Sequence, residues 1–179
     1  MDKRKGYRLR WADQTDYADL AEVMFDAVRN GRSAYSQAQR KAWVPEHRSG
    51  SEWSERLHEQ LVLIGESDSE VVGFMSLGQG GYIDLAFIRP RFQGTGLFGQ
   101  LFTKIKEQSF KRGDVKLWVH ASIMAEPAFR AAGFSIVERQ TVAIGIEQFK
   151  RFKMELDFAT SAFHSSDKTS AFEPSDKSS

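Results

Sequence analysis

The chain has 179 residues, of which 41% are hydrophobic and 27% charged, and this is typical of one soluble globular domain. The formal net charge is +1, which argues against nucleic acid as an obligatory partner, because nucleic-acid binding usually shows as a strongly basic surface. The absence of cysteine excludes disulfides, thiolate metal sites and a covalent thiol mechanism, and a cytoplasmic location is expected. No apolar run approaches the roughly 18 residues of a membrane span, so no membrane partner is expected.

The hydrophobic pattern of the first 80 residues predicts three strands and three helices. The strands are predicted over 7–11, 61–65 and 71–77, and the helices over 15–30, 36–43 and 52–60. Thr15 is predicted to cap the first helix and Ser36 to begin the second, since hydroxyl side chains accept hydrogen bonds from the free N–H groups of a first helical turn.

A strand followed by a glycine-rich turn and a helix is the most informative part of the sequence. The strand is predicted over Tyr82–Ile88 and stops at Pro90, because proline cannot donate to a sheet ladder. From Leu97 apolar residues return at helical spacing. Between them lies Gln93-Gly94-Thr95-Gly96, where small residues leave the N–H groups of a helix N-terminus free. Such a turn binds anions, phosphate above all.

The rest of the chain predicts a second parallel strand, a short helix and a closing pair of antiparallel strands. The strands are predicted over 115–120, 134–142 and 149–158, and the helix runs from about Pro127 to Gly133. After Ala159 the composition shifts to Ser, Asp, Lys and Thr, without the apolar surface that offsets ordering entropy. We therefore expect a single domain over residues 1–158 and a disordered polar tail over 159–179.

One alternative is a dinucleotide-binding oxidoreductase, because Gly94-x-Gly96-x-x-Gly99 matches the dinucleotide fingerprint. Two features disagree with it. Five residues separate the strand from the first glycine, and the acidic residue expected roughly 20 positions on is missing. This interpretation is therefore the less favoured one.

The same turn, taken as Gln93-x-x-Gly96-x-Phe98 after a strand ending in Ile88-Arg89-Pro90, resembles the acyl-CoA turn of the GNAT superfamily of N-acetyltransferases. The family pattern is Gln or Arg, two residues, Gly, one residue, then Gly or Ala. Phe98 stands where the small residue is usual, so helix packing or the approach of the pyrophosphate is expected to differ there.

The resemblance continues beyond the turn. Family members carry a second parallel strand followed by Asn-x-x-Ala-x-x-x-Tyr-x-x-x-Gly-Phe, and the corresponding residues here are Ser122, Ala125, Phe129 and Gly133-Phe134. The stretch 119–142 is most similar to the bacterial YafP-like branch. The similarity covers about residues 7–158.

The resemblance implies an α/β fold of the GNAT type: a mixed, mostly antiparallel sheet that splays between its fourth and fifth strands, with helices on both faces. It implies acetyl-CoA as co-substrate. The residues expected to bind it are Phe87 and Ile88 along the pantetheine arm, Gln93, Gly94, Thr95, Gly96, Leu97 and Phe98 at the pyrophosphate, and Ser122 in place of the usual asparagine. No metal is expected, because His47, His58 and His164 show no pair at ligand spacing.

Acetyl transfer to an amine also needs a group that takes the amine proton. Asp84 is the favoured candidate, because an acid four residues before Ile88 would lie on the cofactor strand. The alternative is that Asp84 is a salt-bridged strand residue. Tyr82 and His120 are further candidates, the latter as an imidazole at the end of the neighbouring strand.

The general acid is equally open. Family habit places a tyrosine at the position of Phe129, which has no proton to give to the departing thiolate. Either the thiolate leaves unaided, as its low pKa permits, or another group contributes. Tyr35 is the favoured alternative, because it precedes the short helix that in this fold usually lines the acceptor site.

We therefore expect an acetyl-CoA-dependent N-acetyltransferase in which an amine attacks the thioester directly in a ternary complex. The amine would belong to a small molecule or a peptide, and the common occurrence of dimers in the family makes a homodimer compatible with the sequence. The alternative function is a non-catalytic acyl-CoA-binding regulatory or interaction module, indicated by Phe98 and Phe129.

Overall fold

The computed structural model describes residues 6–159, and the predicted polar tail lies outside this range except for Ala159. In chain order the strands and α-helices are β1 (Arg8–Trp11), α1 (Tyr17–Asn30), α2 (Gln37–Trp43), α3 (Gly50–His58), β2 (Leu61–Ser67), β3 (Glu70–Leu77), β4 (Tyr82–Ile83), β5 (Ala86–Ile88), α4 (Leu97–Arg112), β6 (Lys116–Ser122), α5 (Glu126–Ala131), β7 (Ser135–Ile144) and β8 (Glu147–Asp157).

The strands form two sheets that separate in the middle of the molecule. One sheet has the order β1-β2-β3-β5 and is antiparallel, and the other has the order β4-β6-β8-β7, in which only the β4–β6 pair is parallel. This mostly antiparallel arrangement, with its splay, confirms the expected GNAT fold. It also excludes the dinucleotide alternative, which requires an open, mostly parallel sheet.

The single strand predicted over 82–88 is wrong, because this segment is divided between the two sheets. Tyr82 and Ile83 pair with β6, whereas Ala86–Ile88 pairs with β3. The break coincides with Ser76, which is fully buried and whose hydroxyl accepts a hydrogen bond from the N–H of Leu85 at 2.9 Å. A side-chain oxygen thus takes a bond that a regular ladder would give to a backbone carbonyl.

Helices cover the first sheet on both sides and create two apolar cores. One core lies beneath α1 and α3 and includes Leu20, Trp53, Leu57 and Phe74. The other lies between α4, α5 and the inner face of both sheets and includes Leu97, Leu101, Leu117, Val119 and Phe129. On β6, Leu117, Val119 and Ala121 face this second core. The residues between and beside them, Trp118, His120 and Ser122 among them, lie on the opposite face of the second sheet.

Side-chain caps occur at α2 and at the 3-10 turn before α1, and the second differs from the prediction. Ser36 caps α2, since its hydroxyl accepts from the N–H of Gln39 while the Gln39 side chain accepts from the N–H of Ser36. At the first helix, Asp13 and not Thr15 is the cap: its carboxylate accepts from the N–H of Thr15 at 2.8 Å, at the start of a short 3-10 turn that leads into α1.

Candidate active site

The separation of β5 from β6 opens a cleft of about 260 Å³. Strand β4, which precedes β5, is paired with β6, and the last pair between them is Ile83 and Val119. Three residues beyond this last pair, Ala86 and Ser122 line opposite walls of the cleft. Seven of the predicted site residues lie along it: Tyr35, Phe87, Ile88, Gln93, Gly94, Phe98 and Ser122.

The backbone of β5 presents hydrogen-bonding groups to this cleft. Arg89 donates its N–H to Val72, and Leu85 accepts at its carbonyl from the N–H of Ser76. Backbone direction alternates along a strand, so the N–H and C=O groups of Ala86 and Ile88 point away from β3. Within the described residues β5 pairs with β3 alone, so this edge is open to an extended ligand.

The turn after β5 has the backbone that its glycines permit. Gly94 and Gly96 have φ angles of 72° and 91°, in the left-handed region that glycine adopts without strain. A Cβ at either position would meet no described atom within 4 Å, which leaves open space beside the backbone. Helix α4 begins at Leu97 and no described side chain caps it, so its first N–H groups are available to an anion.

Side-chain hydrogen bonds stabilise this turn. Gln93 Nε2 donates to the carbonyl of Ile88 at 3.0 Å, and Thr95 Oγ1 donates to the carbonyl of Phe92 at 2.5 Å. Thr95 Oγ1 also accepts from the hydroxyl of Tyr7 at 2.6 Å, a contact that no feature of the sequence indicated. Thr95 is not among the described residues that line the cleft, and its side chain serves the shape of the turn.

Leu97 places the start of α4 on the first sheet. Its side chain is fully buried and packs over two glycines, where a Cβ on Gly65 would lie 2.6 Å from Leu97 Cδ1 and one on Gly73 would lie 2.9 Å from Cδ2. Real Cβ atoms do not approach so closely, so a larger residue at either position would force the Leu97 side chain to shift. Like Gly96, Leu97 is outside the described cleft lining, and only its backbone can serve the ligand.

Two of the residues that depart from the family pattern, Phe98 and Phe129, contact each other. Their ring centroids are 5.1 Å apart and the rings are nearly perpendicular, at 88°, the edge-to-face arrangement that aromatic pairs favour. Phe129 is only 1% exposed and also lies 5.1 Å from the ring of Phe134. Phe98, which has the larger side chain, and Phe129, which lacks the hydroxyl of the usual tyrosine, therefore pack together as one unit.

The hydroxyl of Tyr35 joins the end of β6 to the neighbouring strand β8. It donates to the carbonyl of Lys150 at 2.7 Å and accepts from the N–H of Ile123 at 3.1 Å, just beyond the last β6–β8 pair, Ser122 and Arg151. Burial raises the pKa of Tyr35, opposed in part by the Ile123 N–H. The proton of this side chain is thus held by a backbone carbonyl.

Asp84 is an ion-paired carboxylate. Arg56 donates to both of its oxygens, each at 2.8 Å, and Gln60 Nε2 donates to Oδ2 at 2.8 Å. Burial alone would raise the pKa of Asp84, but the hydrogen bonds from Arg56 and Gln60 and the charge of Arg56 outweigh it and lower the pKa below its usual value. Asp84 is also not among the described residues that line the cleft.

An aromatic cluster covers the second sheet next to Asp84. Tyr82 stacks on Trp118 with ring centroids 4.2 Å apart, and His120 stands edge-on to both, at 6.1 Å and 5.6 Å. The Nδ1 atom of His120 is buried and has no hydrogen-bond partner in residues 6–159.

Neither a metal centre nor a membrane helix is found in the described part of the chain. Among residues 6–159 there is no group of three or more His, Cys, Asp or Glu side chains that could hold a metal ion. Within the same range no helix combines the length and the apolar character needed to cross a bilayer.

The fold and this cleft define a class of protein that the comparisons identify. A family model described as an acetyltransferase (GNAT) domain matches residues 32–157, and the chain belongs to this family. The expectation of a GNAT N-acetyltransferase that uses acetyl-CoA is confirmed at this level.

Relatives agree with the family assignment. The uncharacterized N-acetyltransferase YafP of Escherichia coli (strain K12) is 32% identical over 141 residues, which are 78% of this chain and 88% of YafP. A GCN5-related N-acetyltransferase from Rhodopseudomonas palustris has a TM-score of 0.76 and 26% identity, covering 85% of this chain and 96% of its own. The YncA structure from Salmonella typhimurium, which contains its cofactor acetyl-CoA, has the same fold, with a TM-score of 0.60, 20% identity and coverage of 85% and 94%.

Proposed function

We propose that the protein transfers the acetyl group of acetyl-CoA to an amine of a small molecule or a peptide, by direct attack in a ternary complex. The observation that carries this proposal is the cleft itself, with an unpaired strand edge along one wall and the uncapped N-terminus of α4 at its end. An extended pantetheine arm can add to the edge as a strand would, while the diphosphate lies at the helix N-terminus.

The backbone residues have separate roles in this proposal. The N–H groups from Gly94 to Phe98 would hold the diphosphate, because the space beside both glycines is open and the helix dipole favours negative charge there. The N–H groups of Ala86 and Ile88 face the cleft, and one of them would donate to the thioester carbonyl, which stabilises the negative charge that develops on its oxygen.

The residues around the cleft allow the amine to approach from the side opposite α4 and α5. Cleft-lining residues come from both sides of the sheets: Phe98, Ala125 and Ala128 on one side and Arg32, Tyr35 and Trp43 on the other. The two substrates can therefore meet between Ala86 and Ser122 without passing each other. Such an arrangement suits a ternary complex and needs no covalent intermediate on the protein.

The leaving thiolate would depart without a proton from the protein. Phe129 has no ionisable group, and the hydroxyl proton of Tyr35 is bound to the Lys150 carbonyl. A thiol has a pKa of about 8.5, so its anion is a stable leaving group near neutral pH. Phe129→Tyr is therefore expected to change kcat by less than about threefold, whereas a much larger gain would show that an acid at this position limits the reaction.

Ligand-dependent melting tests the cofactor assignment. A ligand that binds only the folded protein at 100 times its Kd adds about 2.7 kcal/mol of stability, so CoA should raise the melting temperature by several degrees and NAD should not. A rise with NAD alone would contradict the proposal.

Thiol release from acetyl-CoA, measured across a panel of amines, tests the reaction. Amine-dependent release is expected with at least one acceptor. If CoA raises the melting temperature but no amine causes thiol release, the protein is a binding module. The catalytic part of the proposal then fails and the cofactor part is retained.

A further inference from the structure

The register of β4 and β6 places one histidine where the cleft begins. After the last pair, Ile83 and Val119, the next position on β6 is His120, and two residues farther Ser122 lines the cleft. Alternate residues of a strand share a face, and each advances the chain by about 3.3 Å. The imidazole therefore lies on the same face as Ser122, about 7 Å back along the strand. His120, like Asp84, is not among the described residues that line the cleft, so an amine held between Ala86 and Ser122 would reach the imidazole through water.

The imidazole has an unused hydrogen-bonding site. Its Nδ1 is buried and has no partner among the described residues, although buried polar atoms are nearly always paired. An unsatisfied buried acceptor or donor costs about 1–3 kcal/mol. Nδ1 itself is closed to a ligand, so an amine on this face would approach the imidazole at its other nitrogen, Nε2.

The neighbours of His120 favour its neutral form. Burial has the largest effect and lowers the pKa of His120, and the cationic side chains of Arg151 and Lys153 on β8 lower it further. Glu138 and Gln140 on β7 act in the opposite direction and do not reverse the shift. The remaining neighbours are the aromatic rings of Tyr82 and Trp118, which are uncharged near neutral pH.

Asp84, the corresponding residue after β4, offers a contrast. Three hydrogen bonds from Arg56 and Gln60 hold its carboxylate, and its pKa is lowered. A carboxylate in that state is a weak base because it gains little by taking a proton. The ring of His120 is held in its neutral form, which is the state that a general base requires.

We propose that His120 is the proton acceptor of the acetyl transfer. Asp84 is instead a positioning residue, because its ion pair with Arg56 holds the neighbouring side chains in place. This inference rests on the proposed function. The imidazole first takes a proton from the bound ammonium, which frees the lone pair of the amine. The amine nitrogen then bonds to the acetyl carbon, the C–S bond breaks with its electron pair on sulfur, and the second proton of the nitrogen passes to water. The imidazolium then returns the proton to the solvent.

The pH dependence of kcat/KM for His120→Gln tests this role, with an amine acceptor found by thiol release. The native protein should show an acidic limb with its inflection below pH 6.5 and a plateau above it, because the neutral imidazole is already present there. In His120→Gln, kcat/KM at pH 7 should fall at least 100-fold. In place of the plateau, kcat/KM of His120→Gln should rise tenfold per pH unit up to the pKa of the amine, since only the free amine then reacts.

Three controls accompany this measurement. CoA should raise the melting temperature of His120→Gln as much as that of the native protein, and His120→Asn is measured in parallel in case the longer side chain disturbs folding. The same substitution at the exposed histidine of α3, His58→Gln, should leave the profile unchanged.

The comparison with Asp84→Asn decides between the two candidates. Retention of the plateau and its inflection in Asp84→Asn, together with its loss in His120→Gln, supports the proposal. A plateau that persists in both His120 variants, or that disappears only in Asp84→Asn, overturns it while leaving the acetyltransferase assignment intact. If the native protein itself shows no amine-dependent thiol release, the proposed function fails and takes this inference with it.

Discussion

The two sides of the cleft are built from different parts of the chain. On the cofactor side, one turn and the first residues of α4 present backbone N–H groups, and the side chains of Gln93 and Thr95 hold the turn in shape. On the proposed acceptor side, Tyr35, Asp84 and His120 come from separate elements, and the roles proposed for them depend on side-chain atoms. The cofactor side should therefore be sensitive to backbone geometry and added bulk, and the acceptor side to the loss of single polar atoms.

The largest effect is expected from Gly96→Glu, which places a carboxylate beside the N–H groups proposed to hold the diphosphate. CoA should no longer raise the melting temperature, and kcat/KM should fall at least 100-fold. The matched control is Gly113→Glu at the other end of α4: its φ of 87° resembles the 91° of Gly96, and a Cβ there also meets no described atom within 4 Å. Both variants bear a similar backbone strain of about 1–2 kcal/mol. Equal loss of CoA binding in both would remove the phosphate role from this turn.

The second-largest effect tests how the start of α4 packs on the first sheet. Gly65→Ala brings a Cβ to 2.6 Å from Leu97 Cδ1, and such overpacking costs about 1–3 kcal/mol in urea unfolding. In the Leu97→Ala background the clash is gone, so the same alanine should cost at least 1 kcal/mol less. Gly78→Ala is the control, because its Cβ would meet Tyr82 O at an ordinary 3.5 Å. Strictly additive effects of the two alanines would show that Leu97 does not rest on Gly65.

The third effect concerns the acceptor side. Tyr35→Phe leaves the Lys150 carbonyl and the Ile123 N–H without the hydroxyl that joins them, which should lower the free energy of unfolding by about 1–3 kcal/mol. The pH profile of kcat/KM should keep its shape. Tyr17→Phe should be nearly neutral, because the Tyr17 hydroxyl makes no hydrogen bond within the described residues. If Tyr35→Phe lowered kcat 100-fold without loss of stability, Tyr35 would be the general acid.

The smallest effect is expected from Asp84→Asn on stability. The pKa of Asp84 is lower in the folded protein than its unfolded value of about 3.9, so its ion pair stabilises the fold above pH 4 and this contribution is lost as the pH falls through the folded pKa. Because the Arg56 side chain is 42% exposed, solvent screening limits the effect to about 1 kcal/mol. Urea unfolding should show this deficit at pH 7 and a smaller one at pH 3. Asp19→Asn, at an exposed position, should show neither. A deficit in Asp84→Asn that does not change with pH would exclude the ion pair as its cause.

Most secondary-structure elements and the glycine turn were predictable because they depend on near neighbours in the chain. Helical spacing after Leu97 and the glycines at 94 and 96 define a helix N-terminus within a few residues, as found. The capping of α2 by Ser36 depends on Gln39, only three residues away. The break in the strand predicted over 82–88 was not predictable, because it involves Ser76 on the neighbouring strand.

By itself the sequence determined the order of the elements, the phosphate-type turn and the resemblance to acetyltransferases, since φ preferences and hydrophobic periodicity act over short stretches. Only the tertiary structure decided what the side chains in the cleft can do. Tyr35 meets a carbonyl 115 residues away, Asp84 is held by a helix 28 residues before it, and Phe98 and Phe129 pack against each other. Such contacts arise when helices and strands pack, and packing sets which polar atoms are used within the fold and which stay free for a substrate.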